Sequence, residues 1–142
     1  MKKVIVLFSI IMMLSCSSTK TGVAGKKPLY EILTEQGDGG ATIRFFEVLT
    51  ESKEIEMLQN DETMQKKIQE ADLQNATFLI LNMGEKTTGG YKIGVENVEE
   101  TADKVIVTVK DINPEPGSMV TQAFTYPYTV VKINSRKPIE VK

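Results

Sequence analysis

The chain has 142 residues, 17 basic and 19 acidic side chains, a formal charge of −2, no histidine and one cysteine. That composition excludes imidazole-based triads, the commonest zinc ligand sets, thiol catalysis beyond the one cysteine, and any internal disulfide. No dense Lys/Arg patch could follow a phosphate backbone, so nucleic acid is not an expected partner, and neither a metal nor another cofactor is expected.

Read from its start, the chain opens as an export signal. Lys2 and Lys3 form a positive n-region, and Val4 to Leu14 is an apolar run broken only by Ser9. Eleven residues of α-helix reach roughly 16 Å, about half of a bilayer core, which suits a signal and not a span. Met13-Leu14-Ser15-Cys16 resembles a lipobox, with Met13 where Leu is usual. The expectation is cleavage after residue 15 and lipid on Cys16, tying the chain to a membrane on the extracytoplasmic side of a bacterial envelope. Without Lys2 and Lys3, 15 basic side chains remain against 19 acidic ones, a charge of −4. Residues 16–27 are small and polar, the composition of a flexible tether.

Residues 28–142 are expected to form one domain. Leu29 to Leu33 predicts a first strand, closed by the turn residues Gly37-Asp38-Gly39-Gly40. Thr42 to Leu49 mixes β-branched and aromatic residues and predicts a second. Ser52–Leu58 and Glu62–Ile68 have apolar residues near helical spacing and predict two short helices, with Ser52 and Asp61 as N-caps. Phe78 to Leu81 is apolar on both faces, as a central strand covered by helix would be. After a turn over Gly84 to Gly90, Tyr91 to Glu96 and Lys104 to Lys110 alternate in strand fashion. Pro114, Pro116 and Gly117 stiffen a loop, and a last strand is expected from Ala123 to Ile133, with Pro127 at a bulge or on an edge. The predicted fold class is α+β: a curled antiparallel β-sheet with a small helical layer.

Three features invite a functional reading. Acidic residues cluster at Glu51, Glu54, Glu56 and at Glu99, Glu100, Asp103. Paired carboxylates could serve a carbohydrate-active enzyme, but charge runs of this kind form solvated faces, and no enzyme is expected. Gly84-Glu85-Lys86-Thr87-Thr88-Gly89-Gly90 has the residue types of a phosphate loop in the wrong order, since a strand and not a helix follows it. A turn with positive φ at Gly89 or Gly90 accounts for it. Phe124, Tyr126 and Tyr128 share a face in a regular strand. Core is the first expectation for them, and an aromatic edge open to a protein partner the second.

The ordered set Asn82 to Tyr91, Val105 to Val109, Asn113-Pro114-Glu115-Pro116-Gly117, Val120-Thr121-Gln122 and Tyr126-Pro127-Tyr128 resembles the C-terminal domain of the protease-complex subunit PrcB family, over residues 78–133. The resemblance implies a non-enzymatic extracytoplasmic lipoprotein that binds and stabilises another envelope protein, with a protease complex as the expected partner. It implies no catalytic residues; Gly89, Gly90, Pro116 and Pro127 are read as turn-forming, and Tyr91, Phe124, Tyr126 and Tyr128 as candidate partner-binding residues. Thr87-Thr88-Gly89-Gly90-Tyr91 also resembles, with one extra glycine, a loop of chagasin-type protease inhibitors, so an inhibitor-like module is an alternative.

Overall fold

The computed structural model describes residues 27–142. The expected signal (1–15), Cys16 and the tether as far as residue 26 lie outside the described residues. Seven strands and two short helices follow in the order β1 (Tyr30–Gln36), β2 (Phe45–Leu49), α1 (Ser52–Gln59), α2 (Asp72–Asn75), β3 (Thr77–Asn82), β4 (Lys92–Glu100), β5 (Val105–Ile112), β6 (Tyr128–Ile133) and β7 (Ile139–Val141). In place of one curled sheet there are two open ones. An antiparallel sheet has the order β1-β6-β3-β2, and a mixed sheet the order β4-β5-β7, with β7 parallel to β5.

The apolar character of β3 explains this division. Thr77, Leu79 and Leu81 point to one side, where Leu79 and Leu81 meet Val131 and Ile133 of β6 and Ile93, Val105 and Val107 of the second sheet. Phe78 points to the other, into a core with Val130, Leu33, Leu49, Ile55, Met64 and Ile68. The first sheet is therefore a middle layer with helix and loop on one face and the second sheet on the other. A sheet with one open face would leave half of these side chains in water, at about 25 cal/mol per Å² of apolar area. The two cores share β3 and β6, so the described residues make one folding unit.

Two strands run further than alternation predicts, because bulges reset it. In β4 the register against β5 shifts between Val95 and Asn97, so Glu96 is the extra residue and Val98 returns to the core that Val95 packs against. In β1 the shift between Ile32 and Thr34 turns Leu33 into the helix-side core. The last strand is shorter than expected. Residues 123–127 are irregular, Pro127 is buried just ahead of β6, and the Pro127 carbonyl accepts the Met83 N–H at 2.9 Å. Pro127 thus marks the place where the ladder starts, and sits neither at a bulge nor within an edge strand.

The helical layer also departs from expectation. Glu51, and not Ser52, is the N-cap of α1: the Glu54 carboxylate accepts the Thr50 and Glu51 N–H groups at 3.1 and 3.2 Å, while the Ser52 hydroxyl donates to the Leu73 carbonyl. The second predicted helix is a pair of turns. Asp61 still accepts the Thr63 N–H and hydroxyl, which holds its carboxyl below the usual range, but the Gln59 side-chain amide donates to the Ile68 carbonyl where a helix would continue. Met64 and Ile68 are nonetheless buried. Two turns suffice to place an i, i+4 pair, and an isolated seven-residue helix has little stability of its own. The single-turn α2, absent from the sequence reading, is held by Asp72. This almost fully buried carboxylate accepts the Gln69 N–H at 2.9 Å and lies 3.4 Å from the Lys132 ammonium, which also reaches Glu31 at 3.2 Å.

Removing Asp72 takes away the buried partner of Lys132 and leaves its ammonium, beneath the helical layer, only the exposed Glu31. Asp72→Ala is expected to lower the unfolding free energy by about 3–5 kcal/mol in urea titrations, the range for a buried pair broken on one side. Glu31→Ala, at the exposed side of the same ammonium, should cost under about 1 kcal/mol.

Candidate functional site

The strand registers bring three loops to one end of the domain. Gln36 faces Tyr128, Tyr128 faces Asn82 and Asn82 faces Phe45 along the first sheet, while Lys92 faces Ile112 in the second. A Lys92–Glu35 pair at 3.2 Å and the Thr129 hydroxyl, which donates to the Ile93 carbonyl at 2.5 Å, align the two sheets at this end. The segments 37–44, 83–91 and 113–127 therefore emerge side by side.

Buried polar groups fix these loops at their bases. Asn82 is 1% exposed: its amide nitrogen donates to the Ala41 and Ile43 carbonyls at 2.9 and 2.6 Å, and its oxygen accepts the Ala41 N–H at 2.8 Å. The 37–44 loop thus closes on β3 through one side chain. Gly40 N–H donates to the Tyr126 carbonyl, and the Tyr126 N–H to Asp38 Oδ1. Lys86 and Thr125 exchange backbone hydrogen bonds at 2.8 and 2.9 Å, the Thr125 hydroxyl donates to the Thr88 carbonyl, and the Gly89 N–H donates to the Thr121 carbonyl. Arg44 forks onto Asp111 at 2.9–3.1 Å and stacks over Phe46. Loops tied so closely present their side chains in fixed positions.

The candidate aromatics separate on this frame. Tyr91 packs against the inter-sheet core with the Lys86 ammonium 5.5 Å from its ring centre, and Tyr128 packs against the helix-side core. Tyr126 is half-buried and its hydroxyl donates to Glu85 at 3.0 Å. Phe124 alone of the four stands out, 60% exposed. The structure adds three exposed apolar residues that the sequence reading passed over: Met119, wholly bare, Ile43 on the first loop and Ile112 at the end of β5. Met119 lies in a turn-rich segment without periodicity, Ile43 falls just ahead of β2 where a strand was expected, and Ile112 ends β5, so only their placement reveals their exposure.

Among the turn residues, Gly90 has φ +89°, and a Cβ there would stand 2.9 Å from the Pro114 side chain and 3.0 Å from that of Val120. Gly89 has no positive φ and lies against Thr121. Pro116 and Gly117 (φ +81°) are the central residues of a turn whose Ser118 N–H donates to the Glu115 carbonyl, the pattern of a type II turn.

A second feature lies on the helix side of the molecule. Leu49, Met57, Leu58 and Ile80 line a groove of about 230 Å³ between β2 and α1, with Glu47 and Glu54 on its rim. Glu54 is engaged as the cap of α1, so these carboxylates do not form a free catalytic pair. Among the described residues no group of three or more His, Cys, Asp or Glu is placed to hold a metal ion, and no helix is long and apolar enough to cross a membrane.

Residues 77–134 match the family model described as PrcB C-terminal. This part of the chain is similar to the PrcB C-terminal domain. Its limits fall within one residue of the resemblance read from sequence, and it takes in β3 to β6, the inner pair of the first sheet with β4 and β5 of the second. The PrcB C-terminal segment thus supplies the inter-sheet core and two of the three clustered loops, while β1, β2 and the helices lie outside it. The chain is also similar to an uncharacterized protein of Methanocaldococcus jannaschii, MJ1373, with 37% identity over 68 residues, or 48% of this chain and 41% of that one. The match thus covers less than half of the relative's length. No solved structure matches the chain.

Two outcomes follow from this geometry. Gly90→Val should destabilise the domain by about 1–3 kcal/mol in urea unfolding, through strained φ and the Pro114 contact together. Gly117→Ala, with the same φ demand but no atom within 4 Å, should cost only about 1 kcal/mol. The Glu85 carboxylate beside the Tyr126 hydroxyl holds that phenol above its ordinary value. Its stabilising hydrogen bond is fully present below the ordinary phenol range and lost as pH rises through the raised value. Ultraviolet titration should show Tyr126 ionising above the ordinary phenol range, and Glu85→Gln should lower its midpoint.

Proposed function

We propose that the chain is a non-catalytic binding subunit of an extracytoplasmic protease complex, held at the envelope membrane by lipid on Cys16. The family match supports the association with a protease complex, and the signal-like start supports the anchor. The observation that carries the binding role is the exposure of Phe124 and Met119 on the 113–127 loop, which is pinned at Thr121, Thr125 and Tyr126. A rigid frame that presents bare apolar side chains loses little conformational entropy on docking, and an aromatic among them supplies the kind of anchor that dominates interfaces. The absence of histidine from the whole sequence leaves little for a catalytic reading to use.

Crosslinking in intact cells followed by affinity recovery tests the proposal. The wild-type chain should bring down one envelope protein in near-stoichiometric amount from the membrane fraction. The double substitution Phe124→Asp, Met119→Asp should cut that recovery at least ten-fold with an unchanged melting temperature, since both side chains are exposed. Recovery of the wild-type chain alone would sink the binding role, and Cys16→Ala that stays in the membrane fraction would sink the anchor. A partner protease that loses its activity on addition of the purified chain would favour the inhibitor-like alternative.

A further inference from the structure

The two sheets have four edges, and three of them are blunted. β1 carries the bulge at Leu33, β4 the bulge at Glu96, and β7 is three residues long. Bulges and short length are ordinary means of keeping a foreign strand from pairing. β2 has neither. Phe45–Leu49 pairs with β3 in unbroken register, contains no Pro or Lys, and is the last strand on its side of the sheet. Among the described residues, no backbone hydrogen bond outside the β2–β3 ladder involves Phe45–Leu49. Its outward N–H and C=O groups are open.

Register decides what lies beside that edge. Leu49 faces Phe78 and so points to the helix side, and Glu47 and Phe45 share that face. A strand added along β2 would lay alternate side chains over the groove floored by Leu49 and Ile80 and walled by Met57 and Leu58. Met57 is three-quarters exposed, and its unbranched side chain can fit different apolar groups. The charge at the centre is single-signed: Glu47 is exposed with no ion-pair partner among the described residues, and Glu54 stands on the same rim.

We propose that β2 and this groove take an extended segment of a partner protein by strand addition, the segment placing a Lys or Arg against Glu47 and an aliphatic side chain two residues away in the groove. A second copy of the chain is the poorer occupant. Antiparallel pairing of β2 with itself about its middle residue sets Glu47 against Glu47, and like charges directly opposite destabilise a ladder. A basic residue in the same place is attracted. The inference rests on the reading of the chain as a binding subunit but uses a surface apart from Phe124 and Met119, so the two can fail separately.

The test uses the full chain in non-ionic detergent and the peptide acetyl-Thr-Leu-Thr-Arg-Thr-Leu-Thr-amide, whose palindromic sequence presents the same side chains in either direction. Peptide in excess should slow amide exchange within Phe45–Leu49 several-fold and leave β7 unchanged. Replacing Arg by Glu in the peptide should weaken binding at least ten-fold in anisotropy titrations, and Glu47→Lys should reverse that preference. Phe124→Asp with Met119→Asp should leave peptide binding as it was. Equal binding of the two peptides, or no protection of β2, overturns the proposal. So does protection of β2 that grows with protein concentration in the absence of peptide, which would assign the edge to a second copy. If the peptide fails while cellular crosslinking still recovers a partner, strand addition falls and the binding role stands.

Discussion

β3 and β6 carry apolar side chains on both faces, and this pair of strands sets the requirement that the rest of the domain meets. Phe78 and Val130 need a cover on one side; Leu79, Leu81, Val131 and Ile133 need another on the opposite side. Short helices and turns supply the first, the β4-β5-β7 sheet the second. Neither cover is thick, and each core gains a residue through a bulge. Leu33 of β1 turns inward through a bulge, and Val98 of β4 does the same. Bulges here are the means by which strands longer than a simple alternation keep one face in the core.

The polar groups inside this frame act as positioning devices. Among the described residues, no buried side-chain nitrogen or oxygen lacks a hydrogen-bond partner. Asn82 ties the first loop to β3, the Thr129 hydroxyl ties one sheet to the other, and Asp72 with Lys132 ties the helical layer to β6. Each of these contacts would be expensive to leave unmade, so each allows one arrangement and excludes its neighbours. The loop end inherits that definition. Phe124 and Met119 are exposed on segments whose backbones are hydrogen-bonded to one another, which suits recognition by shape more than adaptive folding.

The domain presents two surfaces of different kinds, at its loop end and along the β2 edge. The first belongs mostly to the PrcB C-terminal segment; the second is built from β2 and α1, which lie outside it. The acidic rim of the groove and the apolar loop end ask for different chemistries in whatever docks there.

The sequence by itself determined the elements whose signal is local. Alternation over Tyr91–Glu96 and Lys104–Lys110 and the doubly apolar Phe78–Leu81 marked three strands, turn residues marked the loops, and an ordered set of motifs marked the family segment to within one residue. Tertiary structure alone decided how many sheets there are, because pairing partners lie far apart in sequence and alternation says only that a face is buried, never against what. It turned Glu62–Ile68 from a helix into turns, because burying Met64 and Ile68 needs only their spacing. It started β6 at Tyr128, five residues later than Ala123, and so freed Phe124 from the face it would have shared with Tyr126 and Tyr128. The β7 strand and the α2 turn were too short to carry a period of their own. They exist because β5 and Lys132 were already in place to receive them.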